Sequence, residues 1–148
     1  MSENRVYKPV GGIVAAELFT LDVLRAEGSI NAGSGISVEL ADYASHYEES
    51  LSSESGLVSV AHTLTLVAER QNAAPWMDAE FLRRCAAEGV VAKVWLASGE
   101  ELTVGCCRRM GLEQALRLES LSCSSGVRPR QRPVAELVLR CRDVTSAY

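Results

Sequence analysis

Apolar and polar residues alternate along most of this chain, and the alternation is cleanest in VVAKVWLASGEELTVG, residues 90–105. Val90, Ala92, Val94 and Leu96 fall on one face. After Ser98-Gly99-Glu100, Leu102 and Val104 return to it, which predicts a β-hairpin. LVSVAHTLTLVAER (57–70) predicts a further strand, with Val58, Val60, Leu64, Leu66 and Ala68 on one side and His62 among them. AELVLRCRD (135–143) predicts another, with Ala135, Leu137, Leu139 and Cys141 inward and Glu136, Arg140 and Arg142 outward. In LRLESLSCSS (116–125) the apolar face shifts from even to odd positions, so a β-bulge near Glu119-Ser120 is expected. Ile36, Val38 and Leu40 alternate as a short strand. IVAAELFTLDVL (13–24) fits a strand through Ile13, Ala15, Phe19, Leu21 and Val23, and its β-branched and aromatic content favours that over a helix.

One segment carries helical signals instead. Asp78 can cap a helix through Ala86, with Glu80 in its first turn. Met77 and Leu82 stand at staple positions, Phe81, Leu82, Cys85 and Ala86 form a stripe, and Gly89 suits the residue after the end. A helix of about three turns needs a sheet to hold it.

Between these elements, 1–12 reads as a loose N-terminal arm, 26–35 as a loop and 105–115 as a connection. Residues 41–56, ADYASHYEESLSSESG, are acidic and Ser-rich, and predict a long exposed loop. Strands outnumber helices and their connections are short. The expected fold is therefore α+β and mainly antiparallel β: a β-sandwich or partly closed barrel flanked by one short α-helix, in a single domain over 1–148.

Charge refines this picture. The net charge of −4 argues against bulk attraction to nucleic acid or an anionic membrane. It is unevenly spread: residues 1–82 hold 12 acidic and 4 basic side chains, while 83–148 hold 7 acidic and 11 basic ones. Such a division can give a molecule two unlike faces. The opening residues lack the apolar run of a signal peptide, and no run reaches the ~18 apolar residues of a membrane span. A cytosolic site of synthesis is expected. Cys85, Cys106, Cys107, Cys123 and Cys141 are odd in number and irregular in spacing, so reduced thiols are expected.

Candidate chemistry is sparse. His62 could serve as a base, yet no Cys or Ser motif marks a partner for it. His46 sits in HYEE with no second ligand cluster. Cys106-Cys107 is not C-x-x-C, and Arg108-Arg109 beside it would favour oxidation rather than catalysis. VRPRQRP sets Arg128, Arg130 and Arg132 at alternate positions without the interleaved aromatics of a single-strand platform. No catalytic residue, cofactor or metal is expected.

GLVSVAHTLTLVAER, APWMDAEFLRRCAAEG, VVAKVWLASGEELTVG, LRLESLSCSSG and AELVLRCRD together resemble small structural proteins encoded among tail genes of phages and prophages of Bacteroides-type bacteria. The element order resembles the phage tail-tube fold, a β-sandwich flanked by one helix. The resemblance implies a non-enzymatic virion protein, assembled in the host cytoplasm, whose partners are itself, in hexameric rings stacked around a DNA conduit, and other tail proteins. A terminator, neck or baseplate role shares the fold, and a small ligand- or peptide-binding domain is the alternative of another class. For self-assembly the expected contacts are Tyr43, Tyr47, Glu48, Glu49 and Glu54 against Arg128, Arg130 and Arg132 or Arg108 and Arg109. Sequence-specific nucleic-acid binding and membrane insertion are not expected.

Overall fold

A computed structural model describes residues 12–28, 30, 33–41, 44–105, 115–126 and 132–143. The alternating segments become β1 (Ile13–Thr20), β2 (Ile36–Ser37), β3 (His46–Glu54), β4 (Leu57–Glu69), β5 (Val90–Leu96), β6 (Glu101–Val104), β7 (Arg117–Ser124) and β8 (Val134–Asp143). Two helices accompany them, α1 (Leu21–Glu27) and α2 (Ala79–Ala87), with 3₁₀ turns at Arg70–Asn72 and Ala74–Met77. The strands make two four-stranded antiparallel sheets, ordered β2-β1-β5-β6 and β3-β4-β8-β7. The sheets face each other without closing into a barrel, so the sandwich is the form adopted.

The interior follows from the alternation. Ala16 and Leu18 of β1, Ala92 and Val94 of β5, and Leu102 and Val104 of β6 meet Leu64 and Leu66 of β4 and Leu137 and Leu139 of β8. Trp76, Phe81 and Cys85 fill the end where the chain crosses from the second sheet to the first. Helix α2 makes that crossing. The Asp78 carboxylate accepts from the Phe81 amide at 2.9 Å, which caps the helix as its sequence predicts. Gly89 follows with φ 95°, and a Cβ there would meet the Ala115 Cβ at 2.8 Å, so the turn into β5 requires glycine. The predicted bulge in β7 lies between Leu118 and Ser120.

Two segments differ from their sequence reading. Residues 13–24 are not one strand: β1 ends at Thr20 and α1 follows, closed by Gly28 donating to the Leu24 carbonyl at 2.8 Å. Leu21 and Leu24 turn onto Phe19 and Val91, on the face of the first sheet that points away from the sandwich interior. Leu21 and Val23 continue the period-two pattern of Phe19, which hides a two-turn helix. Likewise, within the stretch 41–56 read as a long exposed loop, residues 46–54 form a strand. His46–Glu54 pairs with β4 without interruption, from His46↔Thr65 to Glu54↔Leu57. Its low apolar content reflects an edge strand with only part of one face on the core.

Among the described residues, β4 meets β8 only from Val60↔Asp143 onward, and 52–59 pair only within the β3–β4 hairpin. Ser55 and Gly56 both have positive φ (54° and 82°), the two-residue turn that matches strand twist. Leu51, Leu57 and Val58 are exposed there. Among the described residues no helix is long and apolar enough to cross a membrane.

Replacing Leu139, fully buried at the centre of the second sheet, with Ala is expected to lower the unfolding free energy by about 2–5 kcal/mol. Asp78→Ala, which removes the cap, is expected to cost about 1 kcal/mol. Urea titration of both variants checks the ranking, and equal losses would contradict it.

Candidate functional site

Toward the Ser55-Gly56 turn, the inner face of the second sheet turns polar. Along β4 the inward positions run Ala68, Leu66, Leu64, then His62 and Val60. Beside His62, β3 presents Tyr47 and Glu49, and β8 presents Cys141 and Asp143. Antiparallel register places Glu49 opposite His62 on one side and Cys141 opposite it on the other. Four of these side chains join through hydrogen bonds. The Tyr47 hydroxyl donates to Glu49 Oε2 at 2.6 Å and also contacts His62 Nδ1. His62 Nε2 lies 2.8 Å from Asp143 Oδ1, and Glu49 Oε2 approaches Nδ1 to 3.6 Å. The Tyr47 ring stacks near the imidazole, 6.0 Å between centroids and 19° between planes.

His62 is 2% exposed, and Asp143 and Tyr47 are buried with it. An imidazole so enclosed is oriented at both nitrogens, in the manner of an Asp–His pair that steers a general base. Its second nitrogen is occupied by the Tyr47 hydroxyl. The arrangement can hold and share protons, and it ties β3, β4 and β8 together at one level. Among the described residues no group of three or more His, Cys, Asp or Glu is placed to hold a metal.

A second charged cluster lies at the other end of β4. Arg132 pairs with Glu69 at 2.7 Å, and together with Arg70, Gln71 and Pro133 they line an open cleft of about 530 Å³. On the outer face of the first sheet, Lys93 bonds Glu101 at 2.8 Å and sits 5.8 Å from the Trp95 ring. The Trp95 indole also donates to Glu101 at 3.0 Å. Glu17, buried in β1, accepts from the Gly33 and Gly35 amides at 2.8 and 2.7 Å. Gly35 is required there, because a Cβ would lie 2.7 Å from the Leu18 carbonyl oxygen.

The residues expected to make subunit contacts divide sharply. Tyr47 and Glu49 turn inward to His62, so Tyr47 is not a partner-facing side chain. Glu48, between them, points out and is largely exposed. Glu54 is the last residue of β3. Arg132 is engaged by Glu69 of its own chain. Tyr43, Arg108, Arg109, Arg128 and Arg130, and the Cys106-Cys107 pair, lie outside the described residues. Sequence reasoning singled out His62 but missed its partners. The signal lay in Tyr47 and Glu49 at i and i+2 and in Asp143 on the inward parity of the last strand. It becomes legible once 46–54 is recognised as a strand paired with β4.

No family model matches the chain, and neither a curated protein nor a solved structure shows significant similarity to it.

The thiols report on this corner of the molecule. Burial, with the Asp143 carboxylate adding to it, pushes the Cys141 thiol up to about 12; burial alone does the same to Cys85. At pH 8 such thiols are ionised on the order of one part in ten thousand. Cys123 is exposed on β7. Iodoacetamide at pH 8 is therefore expected to alkylate Cys123 readily, and Cys85 and Cys141 only after unfolding. Peptide mass mapping reads the difference, and rapid native labelling of Cys141 would contradict the enclosed corner.

Proposed function

We propose that this protein is a non-enzymatic structural subunit of a phage-type tail, of the tube class, that works by assembling head to tail into rings. The supporting observation is the pair of edges on the second sheet. The first sheet ends on short strands, β2 with two residues and β6 with four. The second ends on β3 with nine residues and β7 with eight. Neither long edge carries a proline, and among the described residues neither is paired on its outer side.

Four alternating strands make the two edges run in opposite directions, so β7 of one copy and β3 of the next meet antiparallel under simple head-to-tail repetition. That contact is heterologous, the kind that closes into rings or continues as filaments. The charges agree with it. One row across the outer face reads Glu48, Thr63, Arg140, Arg117, from the β3 edge to the β7 edge. Like edges would oppose Glu48 to Glu48 or Arg117 to Arg117, whereas unlike edges bring Arg117 to Glu48. Opposite charges at paired positions favour the second arrangement and disfavour the first. The resemblance to tail proteins supplies the sixfold ring and the DNA conduit. The exposed apolar hairpin tip supplies a reach beyond the subunit for the neighbouring ring.

Negative-stain electron microscopy of concentrated protein is expected to show rings or short tubes that diminish in 1 M salt. Glu48→Lys and Arg117→Glu should each weaken assembly about tenfold, as opposite charges become like ones, and the double variant should recover it. Particles of monomer size at all concentrations and salts would overturn this reading.

A further inference from the structure

At the Glu69 end of β4 the second sheet borders a cleft whose positive charge its own carboxylate does not use up. The Arg70 amide donates to the Pro133 carbonyl at 2.9 Å, so β4 and β8 are still joined where the 3₁₀ turn Arg70–Asn72 begins. That bond fixes the backbone beneath the open cleft of about 530 Å³. Among the described residues, Glu69, Arg70, Gln71, Arg132 and Pro133 line it.

The one carboxylate of this lining is engaged at both oxygens. Glu69 Oε1 accepts from Arg132 at 2.7 Å, and Oε2 accepts from the Gln71 amide at 3.1 Å. Arg132 uses a single nitrogen in that pair, whereas a guanidinium carries five N–H groups. Arg70 is exposed and makes no ion pair among the described residues. Two guanidiniums therefore face one carboxylate, and the surplus charge sits on Arg70.

We propose that this cleft binds an acidic peptide segment, whose carboxylates are received by Arg70 and by the N–H groups of Arg132 that Glu69 leaves unused. Guanidinium and carboxylate match as planar, two-pronged partners, and the Glu69–Arg132 pair is one such contact already in place. A phosphate dianion carries twice the charge of a carboxylate, so its repulsion by Glu69, which is 25% exposed at the same cleft, is correspondingly larger. The volume exceeds what a lone inorganic ion fills and lies within the ~300–1,000 Å³ of ligand pockets, room for a few residues of extended chain. Pro133 adds an apolar wall, and the Gln71 amide adds a polar group of the kind that pairs with peptide backbone. Glu48 pairs with Thr63, six residues along β4 from Glu69, so the cleft stands apart from the edge contact proposed for assembly.

NMR titration of the intact nitrogen-15-labelled protein tests this with three probes: a capped peptide alternating glycine and glutamate, its glutamine counterpart, and inorganic phosphate. The glutamate peptide is expected to shift the amides of Glu69, Arg70, Gln71 and Arg132 saturably, and more weakly as salt rises. Arg70→Glu, at an exposed position, should weaken its binding about tenfold or more, the scale of losing one charge-assisted hydrogen bond. Arg70→Gln, which removes the charge without reversing it, should fall between the two. Glu48→Lys, which weakens the proposed rings, should bind the peptide as the wild type does. Equal binding of the glutamine peptide, shifts at these amides from phosphate alone, or unchanged affinity in both Arg70 variants would each overturn the proposal. Loss of peptide binding in Glu48→Lys would place the peptide at the subunit edge and overturn it as well.

Discussion

The pairing of β4 with its two neighbours holds the second sheet together, and most of the molecule is arranged around it. β4 is the longest strand, and every residue from Val60 to Thr65 is bonded to β3 on one side and β8 on the other. Because strand side chains alternate with a period of two, this fixes which residues of three strands share the interior. A slip of β4 by one residue against its neighbours would turn Leu64 and Leu66 outward while Leu137 and Leu139 stayed inward. The same register that builds the apolar centre also brings Glu49, His62, Cys141 and Asp143 to one end of it. The polar corner is thus a consequence of core registration rather than a separately built pocket.

That corner bears on how the molecule works. Buried ionisable groups often mark active centres, but here the four members bond to one another across three strands. A buried polar network of this kind rigidifies a junction and discriminates against wrong register, since a slip strands charges away from water. In the proposed assembly, the opposed charges on the two long edges select which edge meets which.

Much of this was legible in the chain, for physical reasons that also explain the omissions. The hairpin at 90–104, the β7 bulge and the capped helix α2 announce themselves because alternation, parity change and an Asp N-cap are local signals. Helix α1 hid behind them: Leu21 and Val23 extend the alternation of β1, and only packing on Val91 decides for a helix. Strand β3 hid for the opposite reason, since an edge strand that touches the core with Tyr47 and little else has the composition of a loop. His62 stood out as a histidine on an apolar face. Its partner Asp143 lies 81 residues away, a distance across which only sheet register carries information.

The order of strands has a consequence for synthesis. β8 occupies the middle of the second sheet, yet it follows every other described strand along the chain. Until residues 134–143 have left the ribosome, β7 has nothing to pair with and β4 offers a bare edge beside an already formable β3–β4 hairpin. A nascent chain in that condition exposes pairing-competent backbone to its neighbours on the same message. Productive folding of this sheet therefore waits for its last described strand to emerge, and crowded translation is a circumstance in which the protein is exposed to misassembly.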